Sequence, residues 1–139
     1  MTYLGERKLG NFRDRTPKAH KNSEAYKQRP GMSPDHLVSI RNLPCCLCGA
    51  LGVEAHHLRD TGERGMGMKS TDKWALPLCK HCHHETHRVG TKEELRWFEE
   101  RGISSKLLAM DLWFSRGDVP RMCRVVQAHR AEGKRGSRP

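Results

Sequence analysis

Leu43-Pro-Cys-Cys-Leu-Cys-Gly49, Val53-Glu-Ala-His-His-Leu58 and Pro77-Leu-Cys-Lys-His-Cys-His-His-Glu-Thr-His87 are the stretches on which the fold turns. Two cysteine pairs, Cys45 with Cys48 and Cys79 with Cys82, bracket a run of histidines. Two residues between the members of a pair let both thiolates point into one turn, so each pair can chelate one side of a tetrahedral zinc. Cys46 lies inside the first knuckle, but the spacing selects Cys45 with Cys48. Cys123 reads as an ordinary buried thiol. The imidazoles left over are positioned to hold a second metal and to act as a base.

Elements can be read outward from these knuckles. Ser33-Pro34 is an N-cap followed by proline at the first helical position, which predicts a short helix carrying Leu37, Val38 and Ile40 and ended by Asn42-Leu-Pro44. Val53–Leu58 and Trp74–Leu78 have strand-like composition, and Pro77 confines the second to an edge or to the strand's end. The segment from Arg59 to Lys73, with Gly62, Gly65 and Gly67, reads as a loop. A helix is predicted from Lys80 to about Arg88. Thr91-Lys-Glu-Glu94 reads as a capping box opening a helix through Glu100, with Leu95 and Phe98 inward and Gly102 as its stop. Two more helices are predicted, from Ser105 to Ser115 and, after an Asp118 cap, from Val119 to Ala131. On the last, Val119, Met122, Cys123, Val125, Val126 and His129 share a face, and Arg121, Arg124 and Arg130 lie on the other sides.

The chain has 139 residues, of which 35% are apolar, so the core it can assemble is small and a metal would add stability that packing cannot. There is no apolar stretch of membrane-spanning length and no charged-then-apolar leader, which predicts reduced thiols and a cytoplasmic protein in a bacterial host. The net charge of +10 is placed unevenly. Residues 1–30 carry 8 basic and 3 acidic residues, residues 116–139 carry 7 and 2, and residues 31–115 balance at 11 and 11. Basic ends on a neutral middle suit a polyanion, because lysines and arginines on flexible segments track phosphates without reading sequence. The division expected is a basic, largely disordered arm over 1–32, a metal-bearing domain over 33–103, and C-terminal helices with a basic tail over 104–139.

A hairpin, a loop and a helix, with a histidine pair on the first strand and further histidines on the helix, resemble the HNH, or ββα-metal, nuclease superfamily over roughly residues 36–103. Leu43-Pro-Cys-Cys-Leu-Cys, Ala55-His-His-Leu-Arg59, Gly65-Met-Gly-Met-Lys69, Asp72 and Pro77-Leu-Cys79 look most like a phage and prophage group that includes recombination-enhancement nucleases, which cut DNA with the help of the RecA filament. The resemblance implies an α+β fold built on a ββα-metal core with a zinc-knuckle pair, flanking helices and basic tails. It also implies a DNA endonuclease and, as a partner, a RecA-type recombinase filament. His56 matches the metal-ligand position of the family motif and His57 its general base.

Chemistry gives each of these residues a reason. Phosphodiester hydrolysis needs an activated water, a charge beside the phosphorane and relief of the charge forming on the leaving oxygen. Imidazole, with an ordinary pKa of about 6.5, is suited to accepting the water's proton. Consecutive strand side chains point to opposite faces, so His56 and His57 do not ligate one ion without a bulge. His83 and His87, four apart, share a helix face, and some superfamily members place two metal ligands at that spacing. The catalytic ion is therefore expected at His56, His83 and His87; softness favours Zn, Ni or Mn, and the resemblance adds Mg. His84 is left beside the site or facing DNA, and His81 exposed. Arg59 has two readings, a phosphate clamp or a surface residue. The superfamily's middle asparagine has no counterpart near Trp74, and Asp72 is the candidate to brace the loop or orient His57. The competing reading is a non-catalytic zinc-knuckle DNA-binding accessory protein in recombination, and nothing in the residues separates DNA from RNA.

Overall fold

The computed structural model describes residues 30–62 and 70–136. The arm expected over 1–32 therefore lies almost wholly outside the described residues, as do Gly65–Lys69 of the loop and the last residues of the C-terminal tail. The described chain is α+β, with five α-helices and one two-stranded sheet.

Helix α1 spans Pro34–Arg41. Ser33, with extended backbone, accepts the His36 N–H at 3.2 Å, and Pro34 starts the first turn where no amide donor is needed. Leu37 and Ile40 are buried, but Val38, one residue on from Leu37 and about 100° round the helix, is exposed. Strands β1 (Val53–His57) and β2 (Ala75–Cys79) pair antiparallel, with His56 opposite Leu76 and His57 opposite Ala75. Trp74, expected on the strand, belongs instead to a 3-10 turn, Asp72–Trp74, that leads into it. Pro77 sits mid-strand at no cost, since in a two-stranded sheet each strand has a free edge; its carbonyl accepts the Cys46 N–H at 3.0 Å.

Helix α2 (Lys80–His87) follows β2 without a break, because Cys79 both ends the strand and caps the helix, its sulfur accepting the Cys82 N–H. The capping box at Thr91–Glu94 is not formed. Thr91–Glu93 is a 3-10 turn, α3 runs Glu94–Glu100, and neither has a side-chain cap, because the Glu94 carboxylate turns inward to other partners. Trp97 and Phe98 are buried, and Leu95 is half-buried.

Helix α4 spans Ser105–Phe114 and α5 spans Val119–Gly136, five residues longer than expected. The Asp118 carboxylate caps α5 by accepting the Arg121 N–H. Arg130 is not on an outer face: its guanidinium packs on Gly49 in the first knuckle. One apolar cluster joins Leu37, Ile40, Leu43, Leu58, Leu76, Leu78 and Phe98 to Leu108, Leu112, Met122 and Val126. The C-terminal helices thus close the same core as the hairpin, and the core does not break at 103/104.

Candidate metal centres

The cysteines are gathered by two different turns. Cys45 and Cys48 lie in a tight loop in which Gly49 donates its N–H to the Cys45 carbonyl at 2.9 Å. Gly49 has φ of +81°, a conformation that side chains disfavour, and a Cβ there would meet Arg130 at 2.6 Å. Cys79 and Cys82 come from the strand end and the first turn of α2. The sulfurs of Cys45, Cys48, Cys79 and Cys82 all lie within 4.8 Å of one another, Cys48 and Cys79 at 3.5 Å. A zinc tetrathiolate places its sulfurs about 3.8 Å apart, so this set fits a metal ion such as zinc with small adjustment. Burial works against ionising Cys45, but the backbone N–H groups of Cys48, Cys79 and Leu47 outweigh it and hold the thiol at about 7. Cys46 is fully buried and does not join the set; burial pushes its thiol upward, as expected for an inert side chain.

A second group forms on the other side of the hairpin from α1. His56, buried on β1, faces α2, with ring centroids 5.1 Å from His83 and 5.7 Å from His87; those two are 4.8 Å apart. One nitrogen from each of the three rings lies within 4.8 Å of the others. Two of the rings are backed by carboxylates. His56 Nε2 is 2.9 Å from Glu94 Oε2, and His83 Nδ1 is 2.8 Å from Glu54 Oε1. Both carboxyl groups are held below their usual range: Glu54 mainly by the His83 hydrogen bond, and Glu94 against its burial by bonds from His56 and Arg59. Carboxylates can only accept, so His56 and His83 donate these N–H groups and leave His56 Nδ1 and His83 Nε2 as lone-pair nitrogens. That is the tautomer a metal requires. Burial lowers the pKa of His56, and burial with the neighbouring His83 lowers that of His87, so neither competes for a proton at neutral pH.

His57 points to the opposite face, a quarter exposed, with Nε2 2.9 Å from Asp72 Oδ1. The other Asp72 oxygen accepts the Ser33 N–H at 2.9 Å, which ties the loop to the start of α1. A cleft of about 340 Å³ is lined by His56, His57, Arg59, Ser70, His83 and His87, so His57 and the three-histidine group open onto one space.

Arg59 lines this cleft and is tied into the protein beside it. Its Nε donates to Glu94 Oε2 at 2.9 Å, and one terminal nitrogen donates to the Thr86 and Val89 carbonyls at the end of α2. These three donors hold protein groups together, and at 18% exposure Arg59 is not a surface side chain. His84 and His81 are exposed. Glu94 and Glu54 went unread as partners of the histidines. Glu54 had a local signal, since it lies two residues before His56 and so on the same strand face. Glu94, 38 residues from His56, had none.

Residues 13–114 match the family described as Protein of unknown function (DUF968), and the chain belongs to that family. It is 36% identical over 92 residues, 60% of its length, to the Uncharacterized protein YdfU of Escherichia coli (strain K12). The match covers 26% of that relative, so the chain spans about a quarter of its length. No solved structure matches.

Proposed function

We propose that this chain is a metal-dependent endonuclease of the ββα-metal (HNH) kind that hydrolyses DNA phosphodiester bonds. The observation that carries the reading is the meeting of His56, His83 and His87, two of them oriented by carboxylates, in a cleft that is also lined by His57, itself bonded to the buried Asp72. A structural zinc alone does not require the second group, and a solvated helix face does not bring a buried, carboxylate-bonded strand histidine against its own rings. A divalent ion held by the three imidazoles would supply Lewis acidity to a phosphoryl oxygen and to the leaving oxygen. His57 takes the proton of the attacking water. Its Nε2–H is donated to Asp72, which fixes the ring and leaves Nδ1 as the basic nitrogen. Glu94 and Glu54 hold the tautomers of His56 and His83, and Arg59 locks Glu94 to the end of α2. The basic residues of 1–30 and 116–139 support the choice of a nucleic acid partner. A RecA-type filament as activator, and a role in phage or prophage recombination, rest on the likeness to the recombination-enhancement group.

The test is cleavage of plasmid and of single-stranded DNA with Mg, Mn, Zn or Ni, with and without RecA filaments. His57→Ala should lower the rate by about 10²–10⁴ while metal content and DNA binding are kept. His83→Ala should lower both the rate and the occupancy of the second metal. No nicking by the wild-type protein under any of these conditions would overturn the nuclease reading in favour of a DNA-binding module. A fully active His57→Ala would overturn only the choice of base.

A further inference from the structure

A second concavity, a groove of about 260 Å³, is lined by Lys73, Trp74, Met110, Trp113 and Phe114 and is separate from the histidine cleft. The two are mechanically joined. Lys73 and Trp74 share a single turn with Asp72, the residue bonded to His57, and the Trp74 carbonyl accepts the N–H of Leu58, which follows His57. The chain has only 3 Trp and 3 Phe, yet two of the former and one of the latter line this groove. Helix α4 buries Leu108, Ala109 and Leu112 in the core, but Phe114 is 76% exposed and Met110 43%. Phe114 and Met110 are not scattered singly but adjoin the half-buried Trp74 and Trp113 in one groove, and contiguous apolar surface of this kind marks interaction sites.

Cations accompany these rings. The Lys73 ammonium lies 5.3 Å from the centre of the Trp74 ring, and the Arg116 guanidinium lies 4.2 Å from that of Trp113, held there by a bond to the Trp113 carbonyl. An apolar protein helix laid into the groove would strip water from the exposed Arg116 guanidinium without replacing it. Unpaired nucleobases meet both needs, because their faces stack on the rings and their phosphates reach the cations.

We propose that this groove holds unpaired nucleotides of the nucleic acid substrate, next to the strand segment presented to His57. The proposal deepens the nuclease reading and rests on it for the choice of partner. It makes the preferred substrate one with a single-stranded stretch at the site of cleavage: a base stacks on the exposed Phe114 while Arg116, laid over Trp113, meets the backbone.

Binding of a short oligothymidylate, about a dozen nucleotides long, and of a duplex of equal length should be measured with the full chain. Quenching of tryptophan emission without added divalent metal keeps the measurement independent of cleavage. Phe114→Ala is expected to weaken oligothymidylate binding roughly 5- to 100-fold, the loss of one stacked base, with duplex affinity changed less than twofold, and Phe114→Tyr is expected to restore it. Equal single-strand affinity in Phe114→Ala and wild type overturns the proposal. So does a Phe114→Ala variant that loses self-association or protein binding and keeps its single-strand affinity, which would assign the groove to a protein partner. Phe114-dependent binding in a protein that cuts nothing would keep the groove and remove the nuclease; cleavage with Phe114-independent binding would do the reverse.

Discussion

Glu94 is fully buried and accepts from three donors: His56 Nε2, the Arg59 backbone N–H at 2.7 Å and Arg59 Nε. A buried carboxylate is tolerated only when its oxygens are satisfied, and here the same bonds that satisfy it fix the ring of a candidate metal ligand. Glu94→Gln keeps the shape but points an amide N–H at a donor, so the divalent-metal affinity of the histidine group should fall about 10- to 100-fold. Titration of the variant with its cysteine site loaded checks this, and an unchanged affinity would mean that Glu94 does not orient His56. His36 presents the opposite situation. Neither ring nitrogen has a hydrogen-bond partner among the described residues, and the ring meets Trp113 edge-on at 5.0 Å. Burial, aided by Arg116 and His57 and opposed by Asp72, holds its pKa near 4 instead of 6.5. The unfolded chain therefore binds this proton more readily than the folded one, so His36 leaves stability intact above pH 6.5 and removes it progressively as pH falls toward 4. The loss should approach on the order of 3 kcal/mol. His36→Phe should flatten the unfolding free energy across this window relative to wild type, and parallel pH profiles for the two proteins would refute the assignment.

Helix α3 is followed, two residues past its end, by Gly102 with φ of +82°, and α5 crosses directly over that turn through Gly133. A Cβ on Gly133 would lie 2.0 Å from the Gly102 carbonyl oxygen, and one on Gly102 would lie 2.9 Å from the Gly133 Cα. Both obstacles are backbone, which cannot rotate away. Gly133→Ala, normally favourable in a helix by about 1 kcal/mol, should here destabilise by about 1–3 kcal/mol. The denaturation midpoint reads this out, and a midpoint at or above the wild-type value would show that the crossing is looser than described. A crossing between residues 31 apart leaves no local signal, and the elements the sequence disclosed are those set by near neighbours. The Ser33 cap, the Cys79–Cys82 turn, the two strands and the Gly102 stop each depend on residues within about four positions of one another. Glu94 was misassigned for the converse reason: a local pattern, Thr91-Lys-Glu-Glu94, offered it a cap, and a stronger non-local partner 38 residues away took it. The partners of Arg59 and Arg130 were hidden for the same reason, since charge alone does not reveal which arginines are held by a carboxylate or laid on a glycine. The meeting of His56 with His83 and His87 was open to inference because a hairpin followed at once by a helix leaves few other arrangements.

At the scale of the molecule, a small apolar cluster is closed by strands of five residues each and by a cysteine set that joins the loop after α1 to the junction of β2 and α2. Cys79 holds three roles in one side chain: the last strand residue, the cap of α2 and a member of the sulfur set. His83 and His87 hang from the helix that starts there, so the geometry of the histidine group depends on the cysteine group but not the reverse. Arg130 adds a link from the far end of the chain, lying on Gly49 in the first knuckle, where its charge also acts on the buried Cys46 thiol. Structural zinc contributes on the order of 10–16 kcal/mol of apparent binding energy, as large as the whole stability of an ordinary domain, about 5–15 kcal/mol. Loss of a zinc held by the cysteine set should therefore unfold the core, whereas loss of the ion proposed at the histidine group should not. Cys79→Ser is expected to give an expanded chain without a cooperative thermal transition and with no retained zinc, while His83→Ala keeps its zinc and a melting temperature within a few degrees of wild type. Elemental analysis beside calorimetry on the two variants decides the matter. A cooperative transition surviving in Cys79→Ser, or in wild-type protein stripped by a strong chelator, would show that the apolar cluster stands alone and that the cysteine set serves something other than the fold.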